Sequence, residues 1–279
     1  LKLYDGHDWK WFAVRLKHTD MEYLRKHWSG KKASAPTLEK KHDKYFLRFT
    51  YAEEVSLNRT PVKEQTICSV DLGINTDAVC TIMRPDGTIL GRKFINFPSD
   101  KDRMYRVLGR IRRFQREHGS RQVQGRWAYA KRLNTELGKK IAREIVFYAS
   151  ENRADVIVFE YLEMKGKLSG KKKQKLQMWR KRDIQKRCGQ QAHRKGIRIS
   201  RICAWNTSRL AFDGSGKIDR DIQDHRLCTF QNGKRYNCDL SASYNIGARY
   251  FIREILKPLP ATERSLLEAK VPAVKRRTS

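Results

Sequence analysis

No two cysteines of this chain stand in a C-x-x-C pair. The six, Cys68, Cys80, Cys188, Cys203, Cys228 and Cys238, are scattered, which fits reduced, intracellular thiols rather than a disulfide framework. There is no apolar run of about 18 residues and no secretory signal pattern, so neither a membrane span nor a leader is legible. Acidic residues are scarce: 30 Asp and Glu face 61 Lys and Arg, a net charge of +31 with a pI near 10.2. An excess of that size calls for a polyanionic partner, and nucleic acid is the commonest. The 279 residues are enough for one large domain or two modest ones, and 39% hydrophobic residues suffice for a packed core. The chain opens on Leu1 rather than Met, and the expectation is a downstream part of something longer.

What is present centres on Ile67-Cys68-Ser69-Val70-Asp71-Leu72-Gly73-Ile74-Asn75. Ile67, Cys68, Val70, Leu72 and Ile74 read as a buried strand. A carboxylate in such a strand is penalised unless something compensates its charge. Asp71 therefore reads as a cation ligand, against the plainer alternative of a strand-ending Asp-x-Gly turn.

Residues 1–66 read as a small all-β module, with strands at 3–4, 9–16 and 45–51 and a Lys-rich loop at 29–41. Trp9 and Trp11 suit a core better than base stacking. Residues 67–74, 78–83 and 89–95 predict an antiparallel meander turned at Pro85-Asp86-Gly87. Two helices follow. The first carries Met104, Leu108, Ile111 and Phe114 on one face; the second carries Trp127, Ala130, Leu133, Leu137, Ile141, Ile145 and Tyr148. The first helix is also dense in arginine, which favours phosphate contact over a merely solvated face. Asp155-Val-Ile-Val-Phe-Glu160 predicts a central strand, parallel to the first because a helical crossover precedes it. Its end then lies where Asp71 lies. A Lys- and Arg-rich segment at 165–187 and a strand at 197–203 come next. Residues 204–238 are polar and aperiodic, a small inserted ribbon, and from Asp239 the pattern turns helical, with capping as that residue's plainer role. The tail beyond Lys257 is Pro-containing and basic.

Three acids thus stand in comparable settings: Asp71 on the first strand, Glu160 at the end of a later parallel one, Asp239 at the head of the last helix. Converging on one sheet edge, they would repel one another unless cations compensate them. Oxygen donors without His or Cys select Mg²⁺ or Mn²⁺, and paired ions suit in-line displacement at a phosphodiester.

The motifs Ser69–Asn75, Val158-Phe159-Glu160-Tyr161-Leu162 and Cys238-Asp239-Leu240-Ser241-Ala242-Ser243-Tyr244-Asn245-Ile246 resemble the three split motifs of a RuvC-type nuclease domain. Their order and spacing are similar to those of the TnpB proteins and type V CRISPR effectors, over about Trp9 to Phe251. The resemblance implies an α/β, RNase H-like mixed sheet with flanking helices behind a small β-barrel wedge. It divides the chain into 1–66 (wedge), 67–203 (nuclease motifs one and two), 204–238 (a zinc-ribbon-like insert for target nucleic acid) and 239–279 (third-motif helix and basic tail). It implies RNA-guided DNA cleavage with Asp71, Glu160 and Asp239 as metal ligands. Guide RNA and target DNA are the implied partners, and the setting is prokaryotic and cytoplasmic, at the nucleoid. Nucleic-acid contacts are expected from Arg110, Arg113, Lys171, Lys172, Lys173 and Arg180, in the two densest basic segments.

The chain departs from the family pattern in three places. Ser241 and Ser243 replace residues of the third motif, which leaves the ligand intact. Thr207-Ser208 opens the ribbon as the family does, but Ala211 and Gly214 stand where its first cysteine pair falls and Asn232-Gly233 where Cys-Gly would be. Cys228 alone cannot close a tetrahedral site, so no zinc is expected. The family's helical recognition domain is absent, and the expectation is that upstream residues or a second copy supply it. Of the rivals, an actin-like ATPase needs a second Gly-rich loop where Glu160-Tyr161-Leu162 stands. A guided binder without cleavage is expected to have lost a carboxylate. A guide-independent RuvC-type nuclease differs only in what selects its substrate.

Overall fold

The computed structural model describes residues 1–41, 43–119, 123–161 and 180–270, which fall into two compact units, 1–55 and 56–279. In the first unit, β1 (Lys2–Tyr4) pairs with β2 (Trp9–Trp11). Helix α1 (His18–Trp28) follows. The short β3 (Lys32–Ala33) pairs with β6 (Tyr51–Ala52), and β4 (Thr37–Lys41) with β5 (Lys44–Arg48). These strands pair only two by two. The helix is an addition to the all-β expectation. Asp20 in its first turn and Arg25, Lys26 and His27 in its last complement the helix dipole. None of its residues is buried, so it leaves no strong apolar stripe to read. Trp9 and Trp11, assigned to a core, are instead 59% and 77% exposed.

The second unit begins before the meander. Residues 56–66, placed with the β module in the sequence, pack here because Asp155 collects them: it accepts from the Thr60 hydroxyl (2.5 Å) and the Thr66 backbone N–H (2.9 Å). Then come β7 (Ile67–Asp71), β8 (Ala78–Met83), β9 (Ile89–Ile95), α2 (Pro98–His118), α3 (Gln124–Glu151), β10 (Val156–Tyr161), α4 (Lys181–His193) and β11 (Arg198–Cys203). The strand order is β11-β10-β7-β8-β9. β10 runs parallel to both neighbours and β7-β8-β9 is antiparallel, as the apolar run of β10 and its helical crossover require.

β7 ends at Asp71 rather than running on to Ile74. A side chain at Gly73 would collide with the Thr76 carbonyl, so the chain turns there. Buried Asp77 pins the turn, accepting from the Phe97 backbone N–H (2.8 Å) and pairing with Lys101 (3.1 Å).

Alternation along the strands sorts the core into two layers. Cys68, Val70, Ile157 and Phe159 face α3 and α4. Ile67, Val79, Met83, Val156, Val158 and Ile202 face α5 (Cys238–Leu256), through its Leu240, Tyr244, Tyr250 and Phe251. Against the α5 layer, through Phe212 and Tyr236, lies the insert: β12 (Asp219–Arg220), β13 (Leu227–Thr229) and β14 (Arg235–Asn237) in one small antiparallel sheet. Its own core is Ala211, Cys228, Phe230 and Cys238. The turns that carry Asp213 and Asn232 are joined by a 2.9 Å hydrogen bond from the Asn232 amide to the Asp213 carboxylate. A last helix, α6 (Ala261–Lys270), follows.

Candidate active site

Period-two alternation decides where the acids point. On β7, Ile67 faces α5, so Ser69 and Asp71 do too. On β10, Val156 and Val158 face α5, so Glu160 follows them. The register pairs Phe159 with Val70 in parallel, and one residue further brings Glu160 level with Asp71. The head of α5 supplies Asp239. Its capping role falls instead to Asn237, whose side chain accepts from the Leu240 backbone N–H (2.9 Å). Asp239 sits inside the first turn, half-buried, and is not used as the cap.

α5 approaches the sheet closely at Ser243 and Gly247, where its sheet-facing residues are small. A side-chain carbon at Gly247 would lie 2.9 Å from Met83 Sδ and 3.2 Å from Ser69 Oγ. The Ser243 hydroxyl meets that of Thr81 at 2.6 Å. One of the two serines that depart from the family's third motif therefore serves as a polar contact between helix and sheet.

Burial, followed by the charges of Glu160 and Asp239, pushes the Asp71 carboxyl well above the ordinary carboxylate range; Arg220 pulls it back down. The three acids are thus electrostatic neighbours although far apart in sequence. Glu160 is 8% exposed. Burial raises its carboxyl too, and the Thr207 hydroxyl, Arg249 and Lys181 oppose that rise. Thr207 donates to Glu160 Oε1. The backbone carbonyl of Glu160 accepts from the Gln185 amide (2.9 Å), which the Arg201 guanidinium orients (3.0 Å).

As they stand, the side chains do not close into a ready cage: among the described residues no three of His, Cys, Asp or Glu are grouped to hold a metal ion. The donor set still suits a hard divalent ion, being all oxygen, with a mutual repulsion at Asp71 that a cation relieves.

Of the basic residues expected to touch nucleic acid, Arg110 and Arg113 project exposed from α2. Arg180 is half-buried at the head of α4 and donates to Asp183 (3.1 Å). Lys171, Lys172 and Lys173 lie outside the described residues. The structure adds residues not assigned to the site beforehand: Thr207, read only as part of the pair that opens the ribbon, with Arg249 and Lys181 around Glu160, and Arg220 beside Asp71. Arg220 also donates to the Ser208 carbonyl (3.1 Å). Asn245 and Arg249 stand four apart on one face of α5, the one spacing that marks them in the sequence.

No protein-family model and no curated protein matches the chain. Solved structures do. The cryo-EM structure of a Cas12f1-sgRNA-target DNA complex matches with a TM-score of 0.54 at 18% identity, over 75% of this chain and 54% of that one. A CRISPR-Cas12f ternary complex matches with a TM-score of 0.50 at 17% identity, over 82% of this chain and 48% of that one. The crystal structure of an AacC2c1-sgRNA binary complex matches with a TM-score of 0.50 at 10% identity, over 90% of this chain and 43% of that one. The chain spans about half the length of the solved chains it matches. The likeness is one of fold, and its neighbours are type V CRISPR effectors, the family that the three motifs resemble.

Proposed function

We propose that this chain is the wedge and nuclease portion of an RNA-guided DNA endonuclease of the TnpB/type V kind. The observation that carries the reading is the electrostatic meeting of Glu160 and Asp239 on Asp71 at one edge of the β11-β10-β7-β8-β9 sheet. Three carboxylates that raise one another's pKa are offset by a proton or by a cation, and an all-oxygen donor set favours a hard divalent ion.

In this reading Asp71, Glu160 and Asp239 hold Mg²⁺ or Mn²⁺. Bound there, the ions supply Lewis-acid stabilisation of the oxygens exchanged at a phosphodiester. The rest is the work of the chain. Burial behind α5 fixes Asp71 on a rigid strand. Thr207 and Gln185 hold the two ends of Glu160. Arg220 brings positive charge to the rim from the insert, in place to meet a phosphate oxygen. The excess of basic residues grips nucleic-acid backbone without reading sequence. Sequence choice falls to base pairing between guide RNA and target, with the protein touching the heteroduplex through its backbone and A-form shape. Arg110, Arg113, Lys171, Lys172, Lys173 and Arg180 are the proposed phosphate contacts, Arg180 after exchange of its Asp183 partner. The first unit and residues 56–66 take the wedge role, and 204–238 the target-side insert.

Asp71→Ala is expected to abolish cleavage and to leave nucleic-acid binding within about twofold, because the grip comes from Arg and Lys elsewhere. A gel-shift titration run beside the cleavage assay checks this. Loss of binding in step with loss of cleavage would make Asp71 a structural residue.

A further inference from the structure

The turn that follows β11 and opens the insert contains the Thr207-Ser208 pair, and the contact of Thr207 with Glu160 bears on which carboxylate oxygen a cation meets. Asn206 holds a left-handed backbone (φ 59°), which Asn tolerates better than most residues. That conformation turns buried Thr207 inward. The Thr207 hydroxyl reaches Glu160 Oε1, and the Ala204 carbonyl lies 3.1 Å from Thr207 Oγ1. A hydroxyl has one proton to give. Towards a charged carboxylate it makes the stronger, charge-assisted bond, and the Ala204 carbonyl is the fallback. Glu160 Oε2 accepts no hydrogen bond among the described residues and is not among the buried unpartnered atoms. Among the described residues it is the carboxylate oxygen that no donor reaches.

Three side chains clamp this turn. The Asn245 amide donates to the carbonyls of Thr207 and Leu210, both at 2.8 Å. Arg249, buried on the same face of α5, donates to the carbonyls of Cys203 (3.0 Å) and Trp205 (2.6 Å). Arg220 holds the Ser208 carbonyl from the insert (3.1 Å). The helix that delivers Asp239 therefore also fixes the turn that holds Glu160.

We infer that Thr207 is the positioning residue of Glu160, holding Oε1 so that Oε2 faces the cation, and that Asn245 supports it by holding the turn. The inference rests on the carboxylate site proposed above. An outer partner of this kind is worth about 10–100-fold in metal affinity.

The test is a Mn²⁺ titration followed by electron paramagnetic resonance on the purified chain, with no nucleic acid present. The wild type is expected to bind Mn²⁺, and Asp71→Asn to lose binding. Thr207→Val, matched in shape but without the hydroxyl proton, is expected to weaken binding by about 10–100-fold. Thr207→Ser should restore it to within a fewfold of wild type. Asn245→Ala, which does not touch Glu160, should weaken binding in the same direction, and it decides the matter if Thr207→Val does not fold. Wild-type affinity in Thr207→Val or, failing that variant, in Asn245→Ala overturns the inference and leaves the carboxylate site standing. Tighter binding in Thr207→Val also overturns it, since the contact would then withhold Glu160 from the ion. A wild type that binds no Mn²⁺, or an Asp71→Asn that binds as well as wild type, overturns the site and this inference together.

Discussion

At the scale of residues, the chemistry comes from placing charge where the fold would not otherwise keep it. The folded protein binds a proton on Asp71 more tightly than the unfolded chain does, because burial and two neighbouring acids raise its carboxyl. The stability tied to that proton is full below the ordinary value of 3.8 and is lost as pH rises through the raised value. At neutral pH, without cations, Asp71 works against the fold. Asp71→Asn, which cannot ionise, should therefore melt higher than wild type in EDTA, and the gap should widen between pH 4 and pH 7. Each kcal/mol relieved is worth about 2–4 °C in a domain of this size. A variant that melts lower than wild type at every pH would contradict the electrostatics. Asp71 and Glu160 stood out in the sequence because each puts a charge in an apolar strand; Asp239, an ordinary residue for a helix head, was marked by the resemblance of its motif. Thr207, Arg249, Lys181 and Arg220 were not legible as site residues. Thr207 stands out only as half of the pair that opens the ribbon, the other three are ordinary where they stand, and each acquires its role at the site only through a partner brought to it by the fold.

At the scale of elements, the site depends on how near α5 lies to the sheet. Gly247 sets that distance, since an added side chain meets Met83 and Ser69. Gly247→Val is expected to cost about 1–3 kcal/mol by overpacking, read as a lower urea midpoint. An unchanged midpoint would mean that α5 has slack. The insert is held by Ala211, Cys228, Phe230 and Cys238 and by the Asn232–Asp213 bond, forces that need no metal. Purified protein should carry less than stoichiometric zinc, and a zinc-selective chelator should leave its melting unaltered; one zinc per chain would overturn this. The stripes of α2 and α3 were legible from period, and the five strands of the sheet from short apolar runs bounded by turns, because burial on one or two faces imprints them. The helix α1, the strand β4, which lies in the segment expected to be a loop at 29–41, and the two-residue strands β3 and β12 were not. An element with no buried residue, or one of two residues, carries no period to read.

At the scale of the whole molecule, the account joins a basic body to an acidic centre. With a charge of +31, the chain will bind any nucleic acid at low salt, and affinity should fall steeply as salt rises. Binding alone therefore says little about function, and selectivity is what separates a guided nuclease from a general one. The measurement that tests this most directly is cleavage at physiological salt by the natural-length polypeptide loaded with its cognate RNA. Two duplexes are compared, one matched to the guide and one mismatched beside the nucleating end of the heteroduplex. The account predicts that the matched duplex is cut, that the mismatched one is spared, and that Asp239→Ala abolishes cutting while RNA stays bound. Equal cutting of both duplexes, or cutting that survives Asp239→Ala, would contradict it.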